Sequence, residues 1–237
     1  MSQPGRRGQA GRREPDPRWL LLAGLAALGA FALTAWAAFD VSVAHRLDAD
    51  LLADASAHHD DTVGHLAAAV GHLGGPLPQI LLLAAGVAIA LSRGRRYAAI
   101  AGLVLVLGAD LTTHLLKDAL AAPRGDSNFQ WGHIDFNAFP SGHTTAAFSM
   151  AAAWCLFVPA RSRPLVAAVG FTAACLVALS VVVLHHHFPS DAIGGFLVAA
   201  AWACGVCAVL QLCTSAQEKQ TGGASFEACS VPPRPHR

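Results

Sequence analysis

Three short clusters of polar residues stand out in a chain otherwise poor in them. They are Lys117-Asp118-Ala119-Leu120-Ala121-Ala122-Pro123-Arg124, then Pro140-Ser141-Gly142-His143, then Ser180 with His185-His186-His187-Phe188-Pro189-Ser190-Asp191. Lys117 and Arg124 supply permanent positive charge. Ser141 and Gly142 open a helix, where unpaired backbone N–H groups and the positive end of the dipole attract an anion. Glycine there lets a ligand approach the backbone closely. His143 follows in the first turn, within reach of whatever those groups hold. His187 and Asp191 are four apart across a Pro-Ser turn, so the carboxylate can bond one ring nitrogen, fix the tautomer and leave the other nitrogen available. An oriented histidine, a second histidine and a cationic cradle are the parts of a phosphoryl-transfer site. These motifs hold no carboxylate cluster suited to Mg²⁺, so the cations are expected to be side chains, with no metal and no cofactor. Each cluster also has a plainer reading, a snorkelling cation or a turn with a helix cap. Their convergence favours one shared site.

The elements that must position these residues follow from composition. The chain has 237 residues, of which 54% are hydrophobic and only 13% charged, about half the usual charged share of a soluble domain. Aromatics are 7%, so the apolar weight lies in Ala, Leu and Val and favours helices in lipid. Disordered, coiled-coil and disulfide-stapled classes are excluded. A net charge of +1 gives no basic face for nucleic acid. The expected fold is all-α, a polytopic bundle of six transmembrane helices: Trp19–Phe39, Pro78–Leu91, Tyr97–Leu116, His143–Val158, Pro164–Leu184 and Ala192–Cys213. The membrane domain is thus 19–213, with the motifs in 117–191. The ends 1–18 and 214–237 read as disordered cytoplasmic tails.

Charge gives the sidedness. Of the sixteen basic residues, only Arg46, Lys117 and Arg124 fall outside the two ends and the loops after spans two and four, while ten of the fifteen acidic residues lie on the opposite side. The basic side is expected to be cytoplasmic, holding both termini, with the three clusters facing outward. Alanine, glycine and short loops suit a bacterial cytoplasmic membrane. Span one resembles a signal peptide at Ala35-Trp36-Ala37, yet its long apolar run favours a retained anchor. Cys155, Cys175, Cys204, Cys207 and Cys213 fall in spans as small apolar residues, and no disulfide is expected. The pair Cys204 and Cys207 lacks the second half of a zinc site.

Other residues are weighed less heavily. Asp110, His114 and Lys117 share one face of span three, which reads as a buried pair fixing Lys117 or, less economically, as a proton path. His45, His58, His59, His65 and His72 enrich the outer face in histidine. Asp40–Gly75, with Val43, Leu47 and Leu51 in one stripe, is expected along the outer surface or capping the bundle. The loop Ser127–Phe139 carries Phe129, Trp131, Phe136 and Phe139 around His133 and Asp135, an interfacial anchor with a hand in headgroup selection.

The three clusters resemble the type 2 phosphatidic acid phosphatase family, related to the vanadium haloperoxidases. Its pattern is Lys-x6-Arg-Pro, Pro-Ser-Gly-His, then Ser-Arg-x5-His-x3-Asp. Lys117 and Arg124 fit the first part, Pro140–His143 is complete, and Ser180, His187 and Asp191 fit the third. The resemblance runs from about span two to span six. It implies a six-span helical bundle and a lipid phosphate as substrate, such as phosphatidic acid, phosphatidylglycerol phosphate or an isoprenyl pyrophosphate. It further implies that His187 is the nucleophile, oriented by Asp191, and that His143 protonates the leaving group and then helps activate water. Lys117, Arg124, Ser141 and Gly142 would hold the phosphoryl oxygens.

Two positions depart from the pattern. Gly125 replaces a proline, at the cost of loop rigidity. Val181 replaces an arginine, and valine offers no hydrogen bond to phosphate. A lost charged contact of that kind is worth roughly a hundredfold in rate. His185 and His186 are the candidates to compensate, if protonated. Three readings therefore stand: a lipid phosphate phosphatase, a lipid phosphotransferase using the same residues, and a weakened, non-enzymatic lipid-phosphate binder. The sequence leaves the oligomeric state open.

Overall fold

The computed structural model describes residues 16–57, 59–122 and 137–229, with side chains as far as Ser215 except that of Ser56. All regular elements among them are helical: α1 Pro17–Asp40, α2 Ser42–Ser56, α3 Thr62–Gly71 with a 3₁₀ turn His72–Gly74, α4 Pro76–Ser92, α5 Arg96–Ala119, α6 Gly142–Phe157, α7 Arg163–Val183 and α8 Pro189–Cys229. Local chemistry sets several starts. Asp16 accepts the Arg18 N–H before Pro17, and Asp61 accepts from Val63 and Gly64 at the head of α3. Each side chain satisfies N–H groups that the helix itself leaves unpaired.

α1, α5, α7 and α8 over Pro189–Ser215 are long and apolar enough to cross a membrane. The segment Thr62–Gly74 with α4, bent by 50°, counts as a fifth. The expected six does not emerge from length and composition. Expected span four is α6, which has only 16 residues, short of the roughly twenty that a span needs. The Ser141 cap at its start and Pro159 just past its end confine it. This short helix sits at the centre, packed on α4, α5, α7 and α8. Its Phe157 is fully buried and wedges against Gly86 and Gly102, where any Cβ would come within 2.3 Å of the ring. Small residues here let the helices close on one aromatic anchor. Ala90, Leu105, Val106 and Met150 complete that core. Leu81, Leu107, Leu111, Phe171 and Leu179 lie exposed on the outside, an apolar surface suited to acyl chains.

One boundary differs from the expectation. The expected tail from Thr214 is helical as far as Cys229, because Ala216-Gln217-Glu218-Lys219-Gln220 are good helix formers with no Pro to stop them. Residues 1–15 lie outside the described residues. Asp40–Gly75 does cap one end of the bundle: Leu52 of α2 packs with Val182 and Phe188, and α3 lies on α7. The stripe Val43, Leu47 and Leu51 faces away, exposed.

Candidate active site

The end of α5, the start of α6, the end of α7 and the start of α8 all lie at the end of the bundle that α2 and α3 cover. The close packing of α6 on α8 depends on Gly195. A Cβ there would fall 2.5 Å from the Ser141 carbonyl oxygen and 3.1 Å from the Thr145 nitrogen. Without that methyl the two helices lock through polar bonds in the buried layer: Ser141 N–H donates to the Asp191 carbonyl at 2.9 Å, and Thr145 Oγ1 lies 3.2 Å from the Gly195 carbonyl. Thr113 of α5 donates to Thr145 Oγ1 at 3.0 Å. The lattice of hydroxyls fixes α5, α6 and α8 in one register, because a buried polar group left unpaired would be costly.

α7 ends in a turn that aims the third cluster. His185 N–H donates to Val182 O and His186 N–H to Val181 O, the paired bonds of a Schellman motif. His185 occupies the left-handed position with φ +58°, usually taken by glycine. The chain then turns inward, so His187 is 7% exposed and Asp191 fully buried. His187 Nδ1 stands 3.3 Å from Asp191 Oδ2, and that same oxygen accepts the Phe188 N–H at 3.0 Å. Asp191 is thereby held in place on both sides and can orient the imidazole ring.

His143, half-buried, faces His187 with ring centroids 6.4 Å apart. It is backed by Gly74, where a Cβ would meet Val177 Cγ1 at 2.8 Å and His143 Cδ2 at 3.1 Å. Lys117 reaches across from α5, with Nζ donating to Asn137 O at 3.1 Å and Ala138 O at 3.5 Å. Its Cε lies 3.9 Å from a Cβ built on Gly142. Lys117, Gly142, His143, His187 and Asp191 are thus brought together. Arg124 and most of the aromatic loop fall outside the described residues.

Several expectations change. Ser141 is fully buried and caps α6, its Oγ accepting from Thr144 N–H and Oγ1–H. With its own N–H on Asp191, it joins α6 to α8, and Gly142 is the backbone element facing Lys117. Ser180 turns inward to Val177 O, away from the site. His185 and His186 are both exposed. Partial desolvation, and then the neighbouring His187, His59 and His185, push the His186 ring below its ordinary range. That shift works against the protonated ring that would replace the missing arginine, and Val181 is itself 1% exposed within the packed core. Asp110 and His114 are not buried and do not touch Lys117; they pair with each other at 3.8 Å and are half or more exposed. Phe139 is buried against Phe31 and Phe39 instead of anchoring at an interface.

Sequence reasoning missed one participant. Asp48 of α2 accepts both the Ser190 N–H and its hydroxyl, capping α8 beside His187 and Asp191. The acidic run of α2 was visible, but no local signal ties residue 48 to 190.

A sequence model of the PAP2 superfamily matches residues 97–215, about half of the chain, from the start of α5 to the end of the apolar part of α8. The chain belongs to the PAP2 superfamily. Lys117, Gly142, His143, His187 and Asp191 of this PAP2 protein lie inside the matched segment, and Asp48 lies before it. No curated protein matches its sequence. Among solved structures, the PAP2 chain is similar to the crystal structure described as the first transmembrane PAP2 type phosphatidylglycerolphosphate phosphatase from Bacillus subtilis. The TM-score is 0.66 at 21% identity, over 83% of this chain and 96% of that one. The two share a fold, and with its apolar helices the PAP2 protein is an integral membrane protein.

Proposed function

We propose that this PAP2 protein is a lipid phosphate phosphatase that works through a phosphohistidine on His187. The observation that carries the reading is the facing pair of histidines, one tied to a buried carboxylate, beside Lys117 and the N-terminus of α6. Asp191 at Nδ1 leaves His187 Nε2 to attack phosphorus in line. The bond from phosphorus to the leaving oxygen breaks as His143 delivers a proton to that oxygen. In the second half His143 takes a proton from water, whose oxygen attacks phosphorus and releases His187. Attack needs about 3–3.5 Å between reacting atoms and the proton donor about 3 Å from its acceptor. Rings 6.4 Å apart can therefore flank a phosphoryl group. Lys117, the Gly142 N–H and Arg124 would carry the equatorial oxygens, with protein cations in place of a metal.

The substrate is an amphiphile, of the phosphatidic acid, phosphatidylglycerol phosphate or isoprenyl pyrophosphate class. The positive-inside bias supports a site on the outer face and cytoplasmic termini, in a bacterial inner membrane. A second reading is favoured by one observation: Val181 gives the phosphate no charge, so transfer to an acceptor lipid, or binding alone, fits a weakened hydrolase. Phosphate release from a panel of lipid phosphates by purified protein in EDTA, with His187→Ala alongside, tests the proposal. Release that survives chelator and disappears in the variant supports it. No release from any substrate favours phosphotransfer or binding.

A further inference from the structure

At the end of the bundle opposite His187, the starts of α5 and α7 meet the end of α6 and the flank of α8. Between them lies a cavity of about 560 Å³, lined by Arg95, Arg96, Arg163, Cys207, Gln211 and Thr214 among others. Three arginines reach it, and among the described residues no carboxylate lines it. Arg95 donates to the Phe157 carbonyl at 3.1 Å, which ties it to the C-terminus of α6. Arg96 lies over the Tyr97 ring, 5.0 Å from its centroid. The Nε of Arg163 is buried and has no hydrogen-bond partner among the described residues, and the same is true of Gln211 Oε1.

Such a gathering of like charges is unfavourable without acceptors beside it. Desolvation, then the charges of Arg163 and Arg93, press the Arg95 guanidinium below its ordinary range. A buried guanidinium N–H without an acceptor carries an uncompensated desolvation cost. Both helices also begin here with no side-chain cap, α5 after Arg95 and α7 after Ser162. Their positive dipole ends add to the arginines. An anion with several acceptor oxygens relieves all of these at once: it pairs the guanidinium groups and sits against two helix starts. Leu156 and Leu210 make part of the same wall apolar, a surface against which an acyl chain can lie.

We propose that this arginine cavity is a second phosphate-group site, distinct from the catalytic end, that holds the headgroup phosphate of an anionic membrane lipid. Its occupant bridges α5, α7 and α8 at the end remote from the reaction. A basic pocket between membrane helices is suited to such headgroups. The site does not depend on phosphatase activity, so it can be tested with a lipid the enzyme does not consume.

The test uses full-length His187→Ala protein in neutral detergent, with phosphatidylglycerol, phosphatidylcholine and inorganic phosphate as probes. Lipid binding is read by native mass spectrometry and by the shift in Tm. The expected result is saturable binding and a Tm rise with phosphatidylglycerol but not phosphatidylcholine. Arg163→Gln should weaken it about tenfold, as loss of one charge-assisted bond implies. Arg96→Gln, at an exposed position, gives the same readout should the first variant fold poorly. An equal Tm rise with inorganic phosphate, lost in the same variants, identifies a free anion as occupant and keeps the phosphate site. Equal binding of phosphatidylcholine, or phosphatidylglycerol binding untouched by both substitutions, overturns it.

Discussion

Gly74 holds His143 from behind, and a single methyl there should displace it. In Gly74→Ala the new Cβ would stand 2.8 Å from Val177 Cγ1 and 3.1 Å from His143 Cδ2. Ordinary carbon contacts lie near 3.5–4.0 Å, so the ring or the helix behind it must give by about 0.4–0.7 Å. Val177 is 3% exposed and packed with Ala147 and Ala174, which leaves the imidazole, at the open mouth, as the group that yields. A misplacement of about 1 Å costs roughly a hundredfold in rate; half of that suggests a fall in kcat of roughly tenfold. Overpacking should also cost about 1–3 kcal/mol of stability, small enough for the protein to remain folded. The assay is steady-state phosphate release from a lipid phosphate in mixed micelles, with folded protein quantified beside it. Val177→Ala in the same chain removes the shorter contact and should restore most of the rate while lowering Tm further. The reasoning is refuted if Gly74→Ala turns over at the wild-type rate, or if the double variant is as slow as the single one.

Further outcomes follow from the same geometry. Asp191→Asn keeps the shape but loses the carboxylate that orients His187, and should lower kcat by roughly a thousandfold or more, with a circular dichroism spectrum like that of the parent. Asp48→Ala removes the cap of α8 at Ser190, costing about 1 kcal/mol and lowering both Tm and kcat; an unchanged Tm would dismiss that joint. His185→Gly relieves a left-handed residue and should stabilise the protein by about 1 kcal/mol in thermal unfolding while activity is kept. Loss of activity in that variant would revive the side chain of His185 as a participant.

The chemistry was legible because its residues are rare against an apolar background. Lys117, His143, His187 and Asp191 announce themselves by type and spacing, and the structure gathers them at one end. The pairing of His187 with Asp191 was readable because both lie within one turn. What positions them was not. Gly195 and Gly74 look like any other small residue in a membrane protein; only the path of a second helix shows that a methyl there has no room. Asp48 and Ser190 are separated by most of the chain, so no periodicity links them. Ser141 suits a ligand or a helix cap by type, and only the structure shows its hydroxyl closing the cap of α6. Asp110 and His114 were expected inside on the cost of charge in lipid, but the α5 face that buries Ala109 and Thr113 turns them outward. A count made on length and composition reaches five spans and leaves α6 out for a related reason: its 16 residues are few, yet it lies shielded at the centre of the bundle.

The central claim is a covalent intermediate on His187. Rapid-quench mixing of the protein with a lipid carrying radiolabelled phosphate, in chelator, tests it most directly. The account predicts an alkali-stable, acid-labile label on His187 that forms and decays at rates compatible with turnover and is absent from His187→Ala. Phosphate release without any protein-bound label, or a label that persists in that variant, would contradict it.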